Sequence, residues 1–335
     1  MRILVLPLVL VTILACGSAG TSAVPAPVSP SPSTPTDPSQ QGCSRTSVGF
    51  TPLTELTSAT YQGQRGGLYP DGRNAPPAVH LTAGVSLARA IRPLDSSGQP
   101  SATGRYAFVS IGMSNTTQEF STFKPMADSD SLRSPRLAVV DGAQGGMTAS
   151  DWSNPSCTCW NELDNRLRAA GLTRAQVAAA WIKLADAQPS EGWPAHAQRL
   201  QRETEAVLQL LAAGFPNLRL AYLSSRIYAG YATSTLNPEP YAYQSGFAMR
   251  WVIEDQINGA LPYAGASRKA PWVAWGPYLW ADGTRTRGDG LAWTCGDFQS
   301  DGTHPSTSGR QKVAQQLLDF VRSDPTARLW YLAAP

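Results

Sequence analysis

The stretch "RYAFVSIGMSNTT", residues 105–117, opens with an apolar run and ends in small polar residues. Four later runs are similar, namely "RLAVVDG" (136–142), "VAAAWIKLA" (177–185), "LRLAYLSS" (218–225) and "PWVAWG" (271–276). Continuously apolar runs, as opposed to alternating ones, are typical of strands that are buried on both faces of a parallel sheet. Each of the five runs is therefore predicted to form a strand of one such sheet.

Helical patterns separate these runs. Apolar residues recur at helical spacing in "AHAQRLQRETEAVLQLLAAG" (195–214) and again in "TSGRQKVAQQLLDFV" (307–321). The alternation of strands and helices predicts a three-layer α/β/α sandwich around a central parallel sheet of about five strands. Ligands of open parallel sheets bind at the carboxyl ends of the strands, so we expect the chemistry in the loops that follow these runs.

The N-terminus has the features of an export signal. Residues 1–16, "MRILVLPLVLVTILAC", combine one positive charge with an apolar run that is too short to span a membrane. "ILAC" resembles a bacterial lipobox, which implies lipidation of Cys16 and a cell-envelope location; the alternative is ordinary signal cleavage further along. Residues 17–42 are rich in Ser, Pro and Ala and predict a disordered tether. Residues 43–335 are then expected to form a single domain.

Charge and composition narrow the range of partners. The formal net charge is +3, and acidic and basic residues are mixed along the chain. A nucleic-acid partner would call for a clustered basic face, so none is expected. The membrane is expected to be reached only through the lipid at the N-terminus. The sequence implies neither a metal nor an organic cofactor.

The four cysteines beyond Cys16 are Cys43, Cys157, Cys159 and Cys295. An even number in an exported protein suggests disulfides. Cys157 and Cys159 are expected to bridge poorly to each other, because so small a ring strains the disulfide. The simplest prediction is two bridges that join this pair to Cys43 and Cys295. A zinc site is the alternative, but no nearby histidine offers the usual ligand spacing.

Three residues could form a nucleophilic site. Ser114 directly follows the first predicted strand, where a serine can be held exposed at a strand-to-helix turn. A serine needs a base to remove its proton, and His304, in "SDGTHPS" (300–306), is a candidate. Asp301 could hold the imidazole in the required tautomer. Each residue alone could equally be a turn or a helix cap.

These motifs resemble the SGNH (GDSL-type) hydrolase superfamily. "GMSN" (112–115), the glycine-rich "GAQGGMTASDW" (142–152) and "DGTHPS" (301–306) before the last helix carry the resemblance, which is nearest to carbohydrate and sialate O-acetylesterases. It implies that Ser114 is the nucleophile, His304 the base and Asp301 its orienting acid. The backbone N–H groups of Ser114 and of Gly146, or Gly145, would be the oxyanion donors.

One position departs from the family pattern. The family places an Asn oxyanion donor in its third block, and the sialate-type branch a Gln after a strand-end Trp. Lys183 stands at that place, after Trp181. Lys183 either replaces the missing donor or is a lysine that extends from a buried strand end to solvent.

The sequence therefore predicts a secreted serine esterase that hydrolyses small acyl esters, acetyl groups on carbohydrate above all, through an acyl-enzyme. The alternatives are a non-catalytic carbohydrate-binding or envelope lipoprotein on a degenerate hydrolase scaffold, and an acyltransferase. Four aromatic residues before Asp301 either pack in the core or form a cleft wall for sugar rings; they are Trp275, Tyr278, Trp280 and Trp293.

Overall fold

The computed structural model describes residues 42–333. The predicted signal segment with Cys16, and the predicted tether apart from Gly42, lie outside the described residues. Within 42–333 there is no helix whose length and apolar character would allow it to cross a membrane.

The core of the protein is a parallel sheet of five strands. They are β3 (Tyr106–Gly112), β4 (Leu137–Val140), β5 (Val177–Lys183), β6 (Leu220–Leu223) and β7 (Trp272–Trp275), and every residue in them is buried. The strand order is β4-β3-β5-β6-β7. All four pairings are parallel, with Phe108 opposite Val139 in β4 and Ile111 opposite Ile182 in β5. The prediction of a parallel sheet is confirmed.

A small hairpin precedes the sheet, and helices connect its strands. The hairpin pairs β1 (Thr60–Tyr61) with β2 (Gln64–Arg65). The helices are α1 (Leu53–Leu56), α2 (Ala78–Arg89), α3 (Ser114–Asp128), α4 (Ala149–Trp152), α5 (Thr158–Ala169), α6 (Ala195–Gly214), α7 (Tyr241–Ile257), α8 (Thr307–Ser323) and α9 (Arg328–Tyr331).

The helices form the two outer layers of the sandwich. One layer contains α2, α3, α8 and α9, with α3 packed on α8, and the other contains α4, α5, α6 and α7, with α6 packed on α7. The connections between parallel strands are right-handed crossovers, so the direction of each step across the sheet decides which face its helix covers. The step from β3 to β4 runs in one direction across the sheet, and the steps from β4 to β5, β6 and β7 run in the other. The protein is a three-layer α/β/α sandwich.

The reversal of direction fixes where a site can form. Helix α3 follows β3 on one side of the sheet, and α6 follows β5 on the other. The two strands are neighbours, so the loops at their carboxyl ends separate and leave a crevice. Such switch points are the usual ligand sites of open α/β sheets. Ser114, which directly follows β3, lies at this point.

The disulfides differ from the prediction. Cys43 is bonded to Cys295, and Cys157 to Cys159. The close pair can form because Cys157 is the extended N-cap residue of α5 and Cys159 lies in its first turn, which leaves their Cα atoms 5.2 Å apart. Disulfides ordinarily join Cα atoms at this separation. Since all four thiols are paired in bridges, the zinc alternative is also contradicted.

Candidate active site

The turn from β3 into α3 presents Ser114. Met113 is in an extended conformation, and Ser114 is the first residue of α3. Gly112 allows this turn, because a Cβ at that position would lie 2.3 Å from the carbonyl oxygen of Lys183. A larger residue there would push the nucleophile turn away from β5.

The structure brings together the three residues predicted from the sequence. The Oγ of Ser114 lies 2.8 Å from Nε2 of His304, and Nδ1 of His304 lies 2.5 Å from Oδ2 of Asp301. An ionised carboxylate can only accept hydrogen bonds, so the proton of the neutral imidazole is on Nδ1. Nε2 is then free to accept the Ser114 hydroxyl proton, which is the geometry of a serine nucleophile with its base.

Asp301 is held in its ionised form. Partial burial opposes the charge, but hydrogen bonds from the His304 ring and from the N–H groups of His304 and Thr303 outweigh burial and lower the pKa of Asp301. Both N–H groups donate to Oδ1 at 2.9 Å. The other oxygen, Oδ2, is thereby left to the imidazole.

The loop that carries Asp301 and His304 is anchored from several directions. Gly302 has φ +62°, and a Cβ there would lie 1.9 Å from the carbonyl oxygen of Tyr231. The N–H of Thr233 donates to the carbonyl of Asp301 at 3.0 Å. The Cys43–Cys295 bridge fixes the chain shortly before the loop. These contacts anchor the base to parts of the chain outside α3.

The glycine-rich loop after β4 is tied to the nucleophile turn. The carbonyl of Gly112 accepts hydrogen bonds from the N–H of Gln144, at 2.9 Å, and from the indole of Trp152, at 3.1 Å. Between these anchors Gly145 and Gly146 are exposed. Within residues 42–333 neither of their N–H groups has an acceptor. The N–H of Ser114, at the start of α3, likewise has no partner within the helix.

The structure contradicts an oxyanion role for Lys183. The residue ends β5 as expected, but its side chain is 0% exposed and its ammonium bonds the carboxylate of Glu119, which is also 0% exposed. A buried charge must be paired, and the nearest carboxylate is on α3. The ammonium therefore turns into the protein, which also excludes extension to solvent.

The aromatic residues before Asp301 belong to the core. Their exposure is 5% or less, and all four use their polar groups internally, Trp275 by donating from its indole to the carbonyl of Leu68. The indole of Trp280 donates to Glu239, the indole of Trp293 donates to the carbonyl of Leu279, and the hydroxyl of Tyr278 accepts from the N–H of Leu53. Together with the buried Trp275 they form no wall for a sugar ring.

Two contacts near Ser114 were not predicted from the sequence. The Asn115 side chain donates to the carbonyl of Thr303 at 3.0 Å, which joins the nucleophile helix to the histidine loop. The second is the ion pair of Glu119 with Lys183. Glu119 lies beside Phe120 on the buried face of α3. A single acidic residue on an apolar helical face was the signal that could have indicated a buried partner.

Comparison with known proteins gives limited similarity. No protein-family model matches the chain, and no curated protein sequence does. A candidate acylhydrolase from Bacteroides fragilis is similar in structure, with TM-score 0.39 and 14% identity over 76% of this chain and 100% of that chain. A gut microbial diltiazem-metabolizing enzyme is similar with TM-score 0.35 and 14% identity, over 69% of this chain and 48% of that chain. The YXIM protein of Bacillus subtilis is similar with TM-score 0.36 and 12% identity, over 67% of this chain and 57% of that chain. These TM-scores are too low to support any statement about activity.

Proposed function

We propose that the protein is a serine esterase. The observation that carries the proposal is the continuous line of hydrogen bonds from Ser114 through His304 to Asp301 at the switch point of the sheet. An unactivated serine hydroxyl is a weak nucleophile, and a base aligned in this way removes that limitation.

The reaction follows from this geometry. Ser114 Oγ attacks the ester carbonyl while its proton passes to Nε2 of His304, and Asp301 stabilises the imidazolium that forms. As the tetrahedral intermediate collapses, His304 gives the proton to the departing alcohol and the acyl group stays on Ser114. Water then attacks the acyl-enzyme by the same steps, with His304 again as base, and releases the acid.

The N–H groups of Ser114 and of Gly146, or Gly145, are our proposed donors to the oxyanion. Two features support this assignment. The glycine loop is joined to the nucleophile turn through the carbonyl of Gly112, and its two exposed N–H groups have no acceptor in the described part of the chain. Preorganised backbone donors of this kind stabilise the charge that develops in the transition state.

For the substrate we propose small acyl esters, acetyl groups on carbohydrate above all. This choice rests on the resemblance of "GMSN", "GAQGGMTASDW" and "DGTHPS" to the acetylesterases. The competing function is a non-catalytic carbohydrate-binding envelope protein. One observation favours it, since the ammonium of Lys183 is held by Glu119 and does not replace the missing side-chain donor.

Hydrolysis of an aryl acetate and of a panel of acetylated glycans, by wild type and by Ser114→Ala, separates the two functions. We expect the substitution to lower kcat by about 10⁴-fold or more without unfolding the protein. Ser129→Ala is the matched control, because Ser129 caps the far end of α3. A wild-type protein that binds acetylated glycans but hydrolyses none of these esters would show the binding function instead.

We further propose that Cys16 is the lipidated N-terminus and that the protein is attached to the cell envelope. The support is "ILAC" and the Ser- and Pro-rich segment that follows it. Mass spectrometry of the membrane fraction is expected to find a diacylated peptide that begins at Cys16. An unmodified N-terminus further along the chain would contradict this.

A further inference from the structure

A buried ion pair lies beside the nucleophile turn. The ammonium of Lys183 donates to both carboxylate oxygens of Glu119, and neither side chain is exposed to solvent. Lys183 is the last residue of β5, and Glu119 lies in the second turn of the helix that begins with Ser114. The pair therefore connects the sheet to the nucleophile helix.

Lys183 holds the same helix through its main chain. The hydroxyl of Thr116 donates to the carbonyl of Lys183 at 2.7 Å, and both groups are buried. That carbonyl also packs directly on Gly112, where it leaves no room for a Cβ. The end of β5 thus contacts the turn before Ser114, the first turn of α3 and the second turn.

Stability alone does not account for the pair. Removing two charges from water costs about as much as their attraction returns, and apolar residues of similar size often stabilise a protein as well or better. An ion pair does supply direction, because the ammonium and the carboxylate must meet at a defined distance. An apolar contact at the same place would allow α3 to slide on the sheet.

We propose that Lys183 and Glu119 are positioning residues that hold Ser114 Oγ at hydrogen-bonding distance from His304. The inference rests on the proposed esterase function. The histidine loop has its own anchors, at Tyr231, Thr233 and the Cys43–Cys295 bridge. The position of Ser114 relative to His304 therefore depends on how α3 is fixed to β5 as well as on the Asn115 contact.

The charges around the pair make it sensitive to alkaline pH. Burial lowers the pKa of Lys183 to about 8, Glu119 opposes that effect, and Arg226 from the loop after β6 adds to it. Burial raises the pKa of Glu119, against the attraction of Lys183, Arg226 and Arg310 of α8. As pH rises through about 8, Lys183 loses its proton and the charge-assisted bonds to Glu119 are lost.

The test compares wild type with the double variant Lys183→Met/Glu119→Leu. Each single substitution would leave one buried charge unpaired and could unfold the protein, whereas the double variant removes both charges. We expect kcat for an aryl acetate at pH 7 to fall by about 10- to 100-fold, since small misplacement of a reacting group has effects of this size. KM should change little. The decline of wild-type kcat above about pH 8 should be absent from the variant.

Arg322→Met is the matched control, because Arg322 pairs with Asp130 just beyond the other end of α3. It should lower stability without changing kcat or the pH profile. Crystal structures of wild type and the double variant give a readout that needs no substrate. We expect the distance from Ser114 Oγ to His304 Nε2 to exceed hydrogen-bonding range in the variant.

Either of two results would overturn the inference. One is a double variant with wild-type kcat and the same alkaline decline, and the other is an unchanged Ser114–His304 distance. A wild-type protein that hydrolyses no ester contradicts the proposed function separately, and the two crystal structures then still decide whether the pair positions Ser114.

Discussion

Asp301 divides its two carboxylate oxygens between two tasks. Oδ1 accepts the N–H groups of Thr303 and His304 and so shapes the loop, while Oδ2 orients the imidazole. A carboxylate can do both because it accepts at each oxygen and donates at neither.

Replacing Asp301 with Asn is expected to separate these tasks. The amide can keep its oxygen on the loop N–H groups, but its NH₂ then faces Nδ1 of His304 and requires that nitrogen to accept. The proton would move to Nε2, which could no longer receive the Ser114 proton. We expect kcat to fall by about 10⁴-fold, measured on an aryl acetate with the fold checked by circular dichroism. A fall of less than about tenfold would show that the carboxylate does not set the tautomer.

Lys183 illustrates what a local sequence pattern predicts and what it does not. Its position near the end of a strand was predictable, because it lies close to the end of the apolar run "VAAAWIKLA". The direction of its side chain was not, since its partner Glu119 belongs to a different element. Ser114 and His304 were predictable because both lie in motifs beside element boundaries.

Helix α6 carries two carboxyl groups that bind protons more tightly than an ordinary glutamate. Burial, with the neighbouring Asp186, raises the pKa of Glu203 to about 8. Burial, with Asp255, raises the pKa of Glu205 to about 7. The folded protein therefore binds protons that the unfolded chain has already released at neutral pH.

This binding has a defined effect on stability. Between about pH 4.5, the ordinary value for a glutamate, and about pH 8, the folded state holds more protons than the unfolded state, so the free energy of unfolding falls as pH rises. In Glu203→Gln the contribution of this residue is absent. Thermal unfolding should show a Tm above that of wild type at about pH 8.5 and a smaller difference at about pH 5. Glu162→Gln is the control, because the hydrogen bond from Arg166 lowers the pKa of Glu162 where burial raises that of Glu203. An equal pH dependence in wild type and Glu203→Gln would contradict this explanation.

The start of α5 shows why the disulfide pairing was predicted wrongly. A bridge within "CTC" was expected to close a strained small ring. At a helix start, however, the N-cap residue Cys157 is extended and the chain turns immediately after it. This local geometry brings the two sulfurs together, and the spacing of the cysteines alone did not reveal it.

The two disulfide bridges are expected to contribute very different amounts to the free energy of unfolding of the whole protein. A disulfide stabilises mainly by limiting the unfolded chain, and more so for longer loops. Cys43 and Cys295 are 252 positions apart in sequence, whereas Cys157 and Cys159 are 2 apart. Removing the first by double serine substitution should cost about 5 kcal/mol, and removing the second about 1–2 kcal/mol. Urea unfolding measures both, and equal losses would contradict the loop-length explanation.

The strands of the central sheet were predicted from the sequence, whereas the small hairpin and the disulfide pairing were not. All five sheet strands fall within the predicted runs, because strands covered on both faces must be apolar throughout. The hairpin of β1 and β2 has only two residues in each strand, too few for a pattern. The Cys43–Cys295 bridge depends on how the two ends of the domain meet, which no local pattern records.

Activation of Ser114 by His304 is the step on which the proposed reaction depends. Its most direct test is covalent labelling with a fluorophosphonate, followed by peptide mapping of wild type and His304→Ala. We predict stoichiometric phosphonylation of wild type at Ser114 alone, and labelling at least about 10³-fold slower in His304→Ala, because the serine then lacks its base. An unlabelled Ser114 in folded wild-type protein, or equal labelling rates in the two proteins, would contradict the account.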